Sequence, residues 1–207
     1  MNKTEAVRRN IQLILDVFDA RNIIIREGFP PRPFLIALDG RCGAGKTTLA
    51  AALKNALESR LPKPVVTLIH MDDFYPRPEQ RTEERFRTPG GNVDHERFKA
   101  EVLEKLESNA DFSYRPFDCA RMALGEPAAV CSSHIAIIEG SYSLHPELRE
   151  QYDLKLFLDI EPNEQRARIL KRNGEAKLKQ FIERWIPFEE LYFTGCRVRE
   201  CADIILK

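Results

Sequence analysis

A glycine-rich stretch that ends in a lysine and two threonines is the part of the sequence best suited to bind phosphate. Gly40-x4-Gly45-Lys46-Thr47 matches the P-loop pattern. In such a loop, backbone N–H groups can surround an anionic phosphate, and the N-terminus of the following helix adds its positive dipole end. Lys46 would bridge the β and γ phosphates, and the Thr47 hydroxyl would ligate Mg²⁺. The motif therefore predicts binding of a nucleoside triphosphate.

The segments on either side of this stretch are those that a P-loop requires. The apolar run from Phe34 to Leu38 predicts a buried strand, and the alanine- and leucine-rich segment after Thr48 predicts a helix. A chance Gly-Lys-Thr in a glycine-rich turn would lack this strand–loop–helix context. The predicted nucleotide-binding residues are Gly40, Arg41, Cys42, Gly43, Ala44, Gly45, Lys46, Thr47 and Thr48.

Acidic residues follow two further predicted strands. Val65 to Ile69 predicts a buried strand, and Asp72 and Asp73 come shortly after it. Because α/β folds bind ligands outside the carboxyl ends of their strands, one of these acids could be a general base or hold metal-bound water. A helix cap or a turn explains an aspartate here equally well. Ser133 to Ile138 predicts another strand that closes at Glu139, where an acid opposite a P-loop would face Mg²⁺.

The second half of the chain completes the predicted sheet. Leu154 to Ile160 predicts a fourth strand, and Ala202 to Leu206 predicts a short final one. The helix that begins at Pro162 carries Arg168 and Arg172, which share a face because they are four residues apart. Either an anion lies between them or they form a solvated basic face. The predicted fold class is α/β, with a parallel sheet of about five strands and helices on both faces.

The predicted domain organisation is an N-terminal extension followed by one domain. Apolar residues recur at helical spacing in residues 4–20, so residues 1–30 are predicted to be an amphipathic helix and a linker before a domain at 31–207. Within that domain we predict a long loop at 76–92, a helix from the cap Asp94 to Leu106, and a hairpin excursion at 112–131. We also predict a lid at about 168–180 and a helix from about Glu175 that Pro187 interrupts or ends.

Composition sets limits on the partners. The 207 residues carry no formal net charge, so no overall field favours nucleic acid or a membrane surface. No apolar run approaches 18 residues, and the odd number of cysteines without CxxC spacing favours reduced thiols. We therefore expect a soluble cytoplasmic protein with a small-molecule partner, no nucleic acid and no membrane, which could form a homo-oligomer.

Several short motifs, in order, give the sequence a family resemblance over about residues 34–206. They are LDGRCGAGKTT, MDDFY, NVDHERF, IIEGSYSL and CADIIL. Together they resemble the uridine kinase, phosphoribulokinase and pantothenate kinase group of P-loop kinases. The resemblance implies a P-loop NTPase three-layer sandwich with a short lid, and ATP and Mg²⁺ as cofactors.

The resemblance also assigns roles residue by residue. Asp72 matches the base near Mg²⁺ and the acceptor hydroxyl, and Glu139 matches a second acid on the metal side. Arg168 and Arg172 match lid arginines that surround the phosphates. Together with the P-loop pattern, the predicted catalytic residues are Asp72, Lys46, Arg168 and Arg172; the predicted metal ligands are Thr47, Asp72 and Glu139; and the predicted substrate-binding residues are Asp72, Tyr75, Asp94, Phe117 and Arg121.

The acceptor region departs from the uridine kinase pattern. Where those kinases have Tyr-Asp-Phe-x-x-His, this chain has Phe117, Asp118, Cys119, Ala120, Arg121 and Met122. A site built to hydrogen-bond a base discriminates strongly, so losing those groups predicts an acceptor other than uridine. Arg121 could pair with an anionic acceptor, or it could be a surface arginine.

The predicted function is therefore an ATP-dependent small-molecule kinase that phosphorylates a hydroxyl of a nucleoside-like or other small metabolite, with anionic compounds among the candidates. The alternative is an ATP-binding or ATPase protein of the same fold with a regulatory or binding role and no acceptor. A GTPase switch is not favoured because the sequence has no Asn-Lys-x-Asp motif after a strand.

Overall fold

The centre of the chain is a parallel β-sheet, as the computed structural model shows for residues 3–20, 30–60 and 65–207. The strands in chain order are β1 (Phe34–Gly40), β2 (Val66–His70), β3 (Phe112–Tyr114), β4 (Phe117–Asp118), β5 (Ala123–Leu124), β6 (Ala128–Val130), β7 (Ile135–Glu139), β8 (Leu154–Leu158) and β9 (Ile204–Leu206). Five of them form the sheet in the order β2-β7-β1-β8-β9, and every pairing is parallel.

Helices cover both faces of this sheet. In chain order they are α1 (Lys3–Ala20), α2 (Lys46–Arg60), α3 (Glu83–Arg87), α4 (His95–Phe98), α5 (Glu104–Leu106), α6 (Pro162–Asn173), α7 (Glu175–Gln180), α8 (Ile186–Gly195) and α9 (Val198–Cys201). Wider π-helical segments join α4 to α5 (Lys99–Leu103) and α7 to α8 (Phe181–Trp185). The predicted α/β class with a five-stranded parallel sheet is confirmed.

The period-2 alternation of strand side chains explains the two cores. In β1, Leu35 and Ala37 belong to the apolar cluster on one face of the sheet, whereas Ile36 and Leu38 belong to the cluster on the other face. Since all four are buried, the strand must be apolar throughout rather than alternating. This is why the sequence shows continuous apolar runs at the central strands.

The segment at 76–92 is more regular than the predicted loop. It contains a 3-10 turn (Pro78–Gln80) and the helix α3. The hydroxyl of Thr82 caps α3 by accepting from the N–H of Arg85, and two glutamates lie in the first turn. Thr-Glu-Glu is a helix start that the composition of the segment had obscured. The prediction of a loop throughout was wrong.

The helix after Glu175 does not end at Pro187. Its π-helical segment ends at Trp185, two residues before Pro187, which occupies the first turn of α8, and the chain remains helical to Gly195. A proline ring clashes with the carbonyl four residues earlier, and the wider π turn makes room for it. Pro187 therefore interrupts the α-helix without breaking it.

The excursion at 112–131 consists of two antiparallel strand pairs rather than one hairpin. β3 pairs with β6, and β4 pairs with β5. Met122, in the tip between β4 and β5, has a positive φ of 53°. This geometry brings Cys119 and Met122 to one end of the excursion.

The N-terminal helix α1 packs on the body of the domain. Ile14 and Phe18 are buried in the same cluster as α2, and the ring of Phe18 lies 5.2 Å from that of Phe34. The side chain of Asn10 donates to the carbonyl of Lys207. The linker predicted within 1–30 falls mostly at 21–29, outside the described residues, so the boundary at 30/31 stays a prediction. In the described parts of the chain, no helix is both long and apolar enough to cross a bilayer.

Two histidines stack where α4 meets the turn after β7. The rings of His95 and His145 are 4.0 Å apart and nearly parallel. Burial, and after it the neighbouring His95, lowers the pKa of His145 to about 3. Burial also lowers the pKa of His95. Both imidazoles are therefore held neutral in the folded protein.

We expect His145 to make the fold sensitive to acid. The pKa of His145 is lower in the folded protein than in the unfolded chain. Its contribution to the unfolding free energy is therefore complete above pH 6.5 and is lost as the pH falls toward 3. Between pH 7 and pH 5 the loss in unfolding free energy should be about 2 kcal/mol. His145→Gln should show a smaller loss when urea unfolding is compared at the two pH values. Equal losses in both proteins would contradict this.

Candidate functional site

The loop between β1 and α2 requires glycine for steric reasons. A Cβ on Gly40 would lie 2.1 Å from the carbonyl oxygen of Leu158 in the neighbouring strand, and its φ of 143° is rarely adopted by other residues. Gly45 has a φ of 104° just before α2 begins. The backbone can therefore curve tightly around a space at the N-terminus of α2, which is the arrangement that binds phosphate.

Lys46 lies over this loop and is almost fully buried. Its ammonium donates to the carbonyls of Gly40 at 2.7 Å and Arg41 at 3.0 Å, and to the hydroxyl of Ser141 at 3.1 Å. All three partners are neutral, so the positive charge is held in place without being neutralised by them. It is positioned to attract an anion into the loop.

Glu139 and Thr47 meet at the carboxyl end of β7. The hydroxyl of Thr47 donates to the carboxylate of Glu139 at 3.0 Å. The same carboxylate lies 2.5 Å from Nδ1 of His70, its cross-strand neighbour in β2, and this contact raises the pKa of His70. The two predicted metal ligands are thus in contact, with an imidazole beside them.

The structure separates the two aspartates that follow β2. Asp73 accepts from the hydroxyl of Tyr114 at 2.7 Å, so it supports the packing of β3. Asp72 instead faces the cavity. Enclosure by the cavity wall raises the pKa of Asp72, Glu139 raises it further, and Lys46 lowers it. Of the pair, only Asp72 is placed to act on a ligand.

Helix α6 brings cations to the other side of the loop. The guanidinium of Arg168 donates to the carbonyl of Ala44 at 2.7 Å. Arg172, one turn later, and Lys171 line the same cavity. The shared face that the spacing of Arg168 and Arg172 predicts therefore points at the P-loop.

Two buried carboxylates connect the P-loop to α8. Asp39 accepts from the N–H groups of Gly40 and Leu144 and from the hydroxyl of Tyr192. Glu189, one turn before Tyr192, accepts from the N–H of Cys42 at 2.8 Å. It also accepts from Ser141 at 2.8 Å and from Gln165 at 3.2 Å. Helix α8 is thereby fixed to the loop at two levels.

These elements enclose one cavity of about 940 Å³, which is large enough for a nucleotide and a small second ligand. It brings together most of the predicted site, namely Cys42, Gly43, Gly45, Lys46, Thr47, Thr48, Asp72, Tyr75, Glu139, Arg168 and Arg172. Gly40, Arg41 and Ala44 belong to the loop but do not line the cavity. The side chain of Arg41 points away, toward Asp159 and Glu190.

Three predicted substrate-binding residues lie outside the cavity wall. Asp94 is buried and caps α4 by accepting from the N–H of Arg97. Phe117 is buried within the excursion. Arg121 is exposed, and its N–H donates to Asp118. The geometry gives none of them a direct contact with a ligand, and the surface-arginine alternative fits Arg121.

Several wall residues were not predicted from the sequence as site residues. They are Arg81, Asn92, Cys119, Met122, Gly140, Ser141, Tyr142, Lys171, Phe181, Arg184, Trp185 and Glu189. Ser141 and Tyr142 directly follow the predicted acid-ended strand, which is a usable signal. Arg81 and Glu189 carry no local signal, because only the tertiary fold brings them to the P-loop.

The donor set suits Mg²⁺ better than a metal that needs a complete protein cage. Among the described residues, no group of three or more His, Cys, Asp or Glu is arranged to hold a metal. Thr47, Asp72 and Glu139 offer a hydroxyl and carboxylates around the mouth of the loop. Mg²⁺ keeps several waters and takes few protein ligands beside a phosphate, so these residues fit it.

The fold and the loop together define a P-loop nucleotide-binding protein. The sequence model of the Phosphoribulokinase / Uridine kinase family matches residues 35–177, which is more than half of the chain. The chain belongs to this family. The match begins within β1 and ends in α7, so it includes the P-loop, both acid-ended strands and α6.

Curated relatives agree with this assignment, and a solved structure shows the same fold. A uridine kinase of Alkaliphilus metalliredigens is 29% identical over 154 residues, covering 70% of this chain and 71% of that protein. Uridine kinase-like protein 3 of Arabidopsis thaliana is 27% identical over 188 residues, and the chain spans 39% of its length. The structure of a possible uridine kinase from Bacillus stearothermophilus is 20% identical, with a TM-score of 0.72 over the whole of both chains, and shows the same fold.

We expect Glu189 to contribute more to stability than its neighbour in sequence. In Glu189→Gln, the new amide N–H₂ group faces N–H donors that now donate to the carboxylate. Because a donor then faces a donor, the unfolding free energy should fall by about 2 kcal/mol. Glu190→Gln is the matched control, because Glu190 is half exposed and pairs with Arg41 at the surface; its loss should stay below about 1 kcal/mol. Equal losses in urea unfolding would contradict the role given to Glu189.

Proposed function

We propose that this protein is a kinase that transfers the γ-phosphoryl group of ATP to a hydroxyl of a small molecule. The observation that carries the proposal is the shared cavity of Lys46, Thr47, Asp72, Glu139 and the cations of α6. A P-loop alone would support nucleotide binding. A carboxylate with a raised pKa in the same cavity adds a group that can accept the proton of an attacking hydroxyl.

Each side chain has a role in this reaction. Lys46 would offset charge on the β and γ phosphates, and Arg168 and Arg172 would offset charge on the group in transfer. Thr47, Glu139 and Asp72 would hold Mg²⁺, which supplies further charge neutralisation. Asp72 would take the proton as the hydroxyl oxygen bonds to the γ-phosphorus and the bond to the bridging oxygen of ADP breaks.

The acceptor is a separate question from the transfer. Tyr75 lies beside Asp72, with its hydroxyl 3.4 Å from the carboxylate, so it could contact a bound acceptor. The wall near it carries Cys119 and Met122, which offer a nucleobase little hydrogen bonding. These contacts support a small acceptor other than uridine.

We expect two substitutions to separate binding from transfer. Lys46→Ala should lower acceptor-dependent ADP formation by at least about a thousandfold, because the buried positive charge that would neutralise the phosphates is lost. Asp72→Asn should lower it by about a hundredfold or more while ATP still binds, because the proton acceptor is lost whereas Lys46 and the P-loop remain.

Asp73→Asn is the matched control for Asp72→Asn. Asp73 is the same residue type one position later and contacts Tyr114 instead of the cavity, so turnover should stay near wild type. Near-normal turnover in a folded Asp72→Asn protein would contradict the role of Asp72. Steady ATP hydrolysis that no acceptor stimulates would favour the alternative of an ATPase or ATP-binding protein.

A further inference from the structure

The arginines of the segment 76–92 differ in how their charge is neutralised. Arg77 pairs with Glu79 at 3.4 Å and lies 3.5 Å from Asp94. Arg85 pairs with Glu96 at 2.7 Å, and Arg87 pairs with Glu83 at 3.0 Å. In the described part of the chain, Arg81 has no carboxylate within salt-bridge distance. It is also the arginine of this segment that lines the cavity.

The side chain of Arg81 is held in a defined position. Its Nε donates to the carbonyl of Pro76 at 2.8 Å. Its guanidinium lies over the ring of the buried Phe117, 5.6 Å from the centroid. Since Nε is used and one face is covered by the ring, the two terminal nitrogens remain to donate to a ligand. A guanidinium fixed in this way is suited to bind two oxygens of a carboxylate or phosphate.

Cys119 relates Arg81 to the reacting end of the cavity. Burial raises the pKa of the Cys119 thiol, Arg81 lowers it, and Asp72 raises it. Both charged groups therefore act on one residue, and all three line the same cavity. Arg81 and Asp72 are thus both available to an acceptor bound in this cavity.

We propose that Arg81 binds a carboxylate or phosphate group of the acceptor and so selects anionic hydroxyl compounds. This inference rests on the proposed kinase function and names the acceptor class of that site. The bound anion would neutralise a guanidinium that no carboxylate of the described residues pairs with. Phe117, predicted from the sequence to contact substrate, would act indirectly by supporting Arg81 from beneath.

Matched pairs of compounds test the acceptor class. Glycerate is compared with glycerol, and ribose 5-phosphate with ribose, in acceptor-dependent ADP release from Mg·ATP. At least one anionic member should stimulate turnover while its neutral partner does not, and the two pairs distinguish a carboxylate from a phosphate. Equal stimulation by a neutral partner would overturn the inference and leave the kinase function intact.

Substitution of Arg81 tests the residue. Arg81→Gln should raise the KM for the anionic acceptor about a hundredfold, change kcat much less, and leave the Kd of ATP within twofold. Arg81→Lys should restore part of the loss because it keeps the charge but not the paired donors. Arg87→Gln, an exposed arginine of the same segment, is the control and should behave as wild type. A weaker affinity for ATP with an unchanged acceptor KM would overturn the inference.

Equilibrium binding makes the test independent of turnover. Calorimetry measures the same four compounds on protein loaded with Mg²⁺ and a non-hydrolysable ATP analogue. If an anionic compound binds, and its affinity falls at least tenfold in Arg81→Gln, the inference is supported even when no phosphoryl transfer occurs. A lack of transfer would then count against the kinase function alone. Absence of binding by both anionic compounds, or equal binding to wild type and Arg81→Gln, would overturn it.

Discussion

The buried carboxylate of Asp39 is the interaction on which the arrangement of the site depends. It lies at the end of β1 and accepts hydrogen bonds from the P-loop, the turn after β7 and helix α8. A fully buried carboxylate is costly unless such donors surround it. Burial raises the pKa of Asp39 to about 6, against the pull of those donors and of Lys46. The three segments are thus held in register around one charge.

Glu189 extends this connection toward the mouth of the cavity. Because it lies one helical turn before Tyr192, the two side chains bring one face of α8 against the P-loop and the turn that follows Glu139. Ser141 in turn contacts Lys46. The lysine that would contact the phosphates is therefore positioned by a chain of hydrogen bonds that reaches α8, which follows α6 and α7 in sequence. A polar network of this kind fixes geometry when every member is satisfied.

Much of the fold followed from local patterns. The central strands are continuous apolar runs because both of their faces are buried, and the P-loop has a specific pattern between a strand and a helix. The cap of α4 was equally readable, since Asp94 accepts from the N–H three residues later. Oδ1 of Asp94 accepts this cap hydrogen bond and the residue does not line the cavity, so the structure adds no contact that supports its predicted role in substrate binding. Helix α3 was missed although its start is local, because the prolines and arginines around it resemble a loop.

The acceptor side of the site was the least predictable part. The sequence offers Arg121, within the acceptor stretch, as a partner for an anion, but Arg81, forty residues earlier, lines the cavity and Arg121 does not. Whether an arginine forms a salt bridge depends on where the carboxylates lie in the folded protein. No spacing in the sequence encodes that. The same holds for Asp72 and Asp73. Their positions in the sequence do not show which one faces a ligand, whereas in the structure the hydrogen bond from Tyr114 assigns Asp73 to packing.

The measurement that tests the central claim most directly is ³¹P NMR of a reaction containing the protein, Mg·ATP and the acceptor compounds. The account predicts that ADP forms together with one new phosphomonoester resonance in equal amount, and that both are absent with Lys46→Ala. Formation of ADP with inorganic phosphate alone, and no new ester, would contradict phosphoryl transfer to a small-molecule hydroxyl.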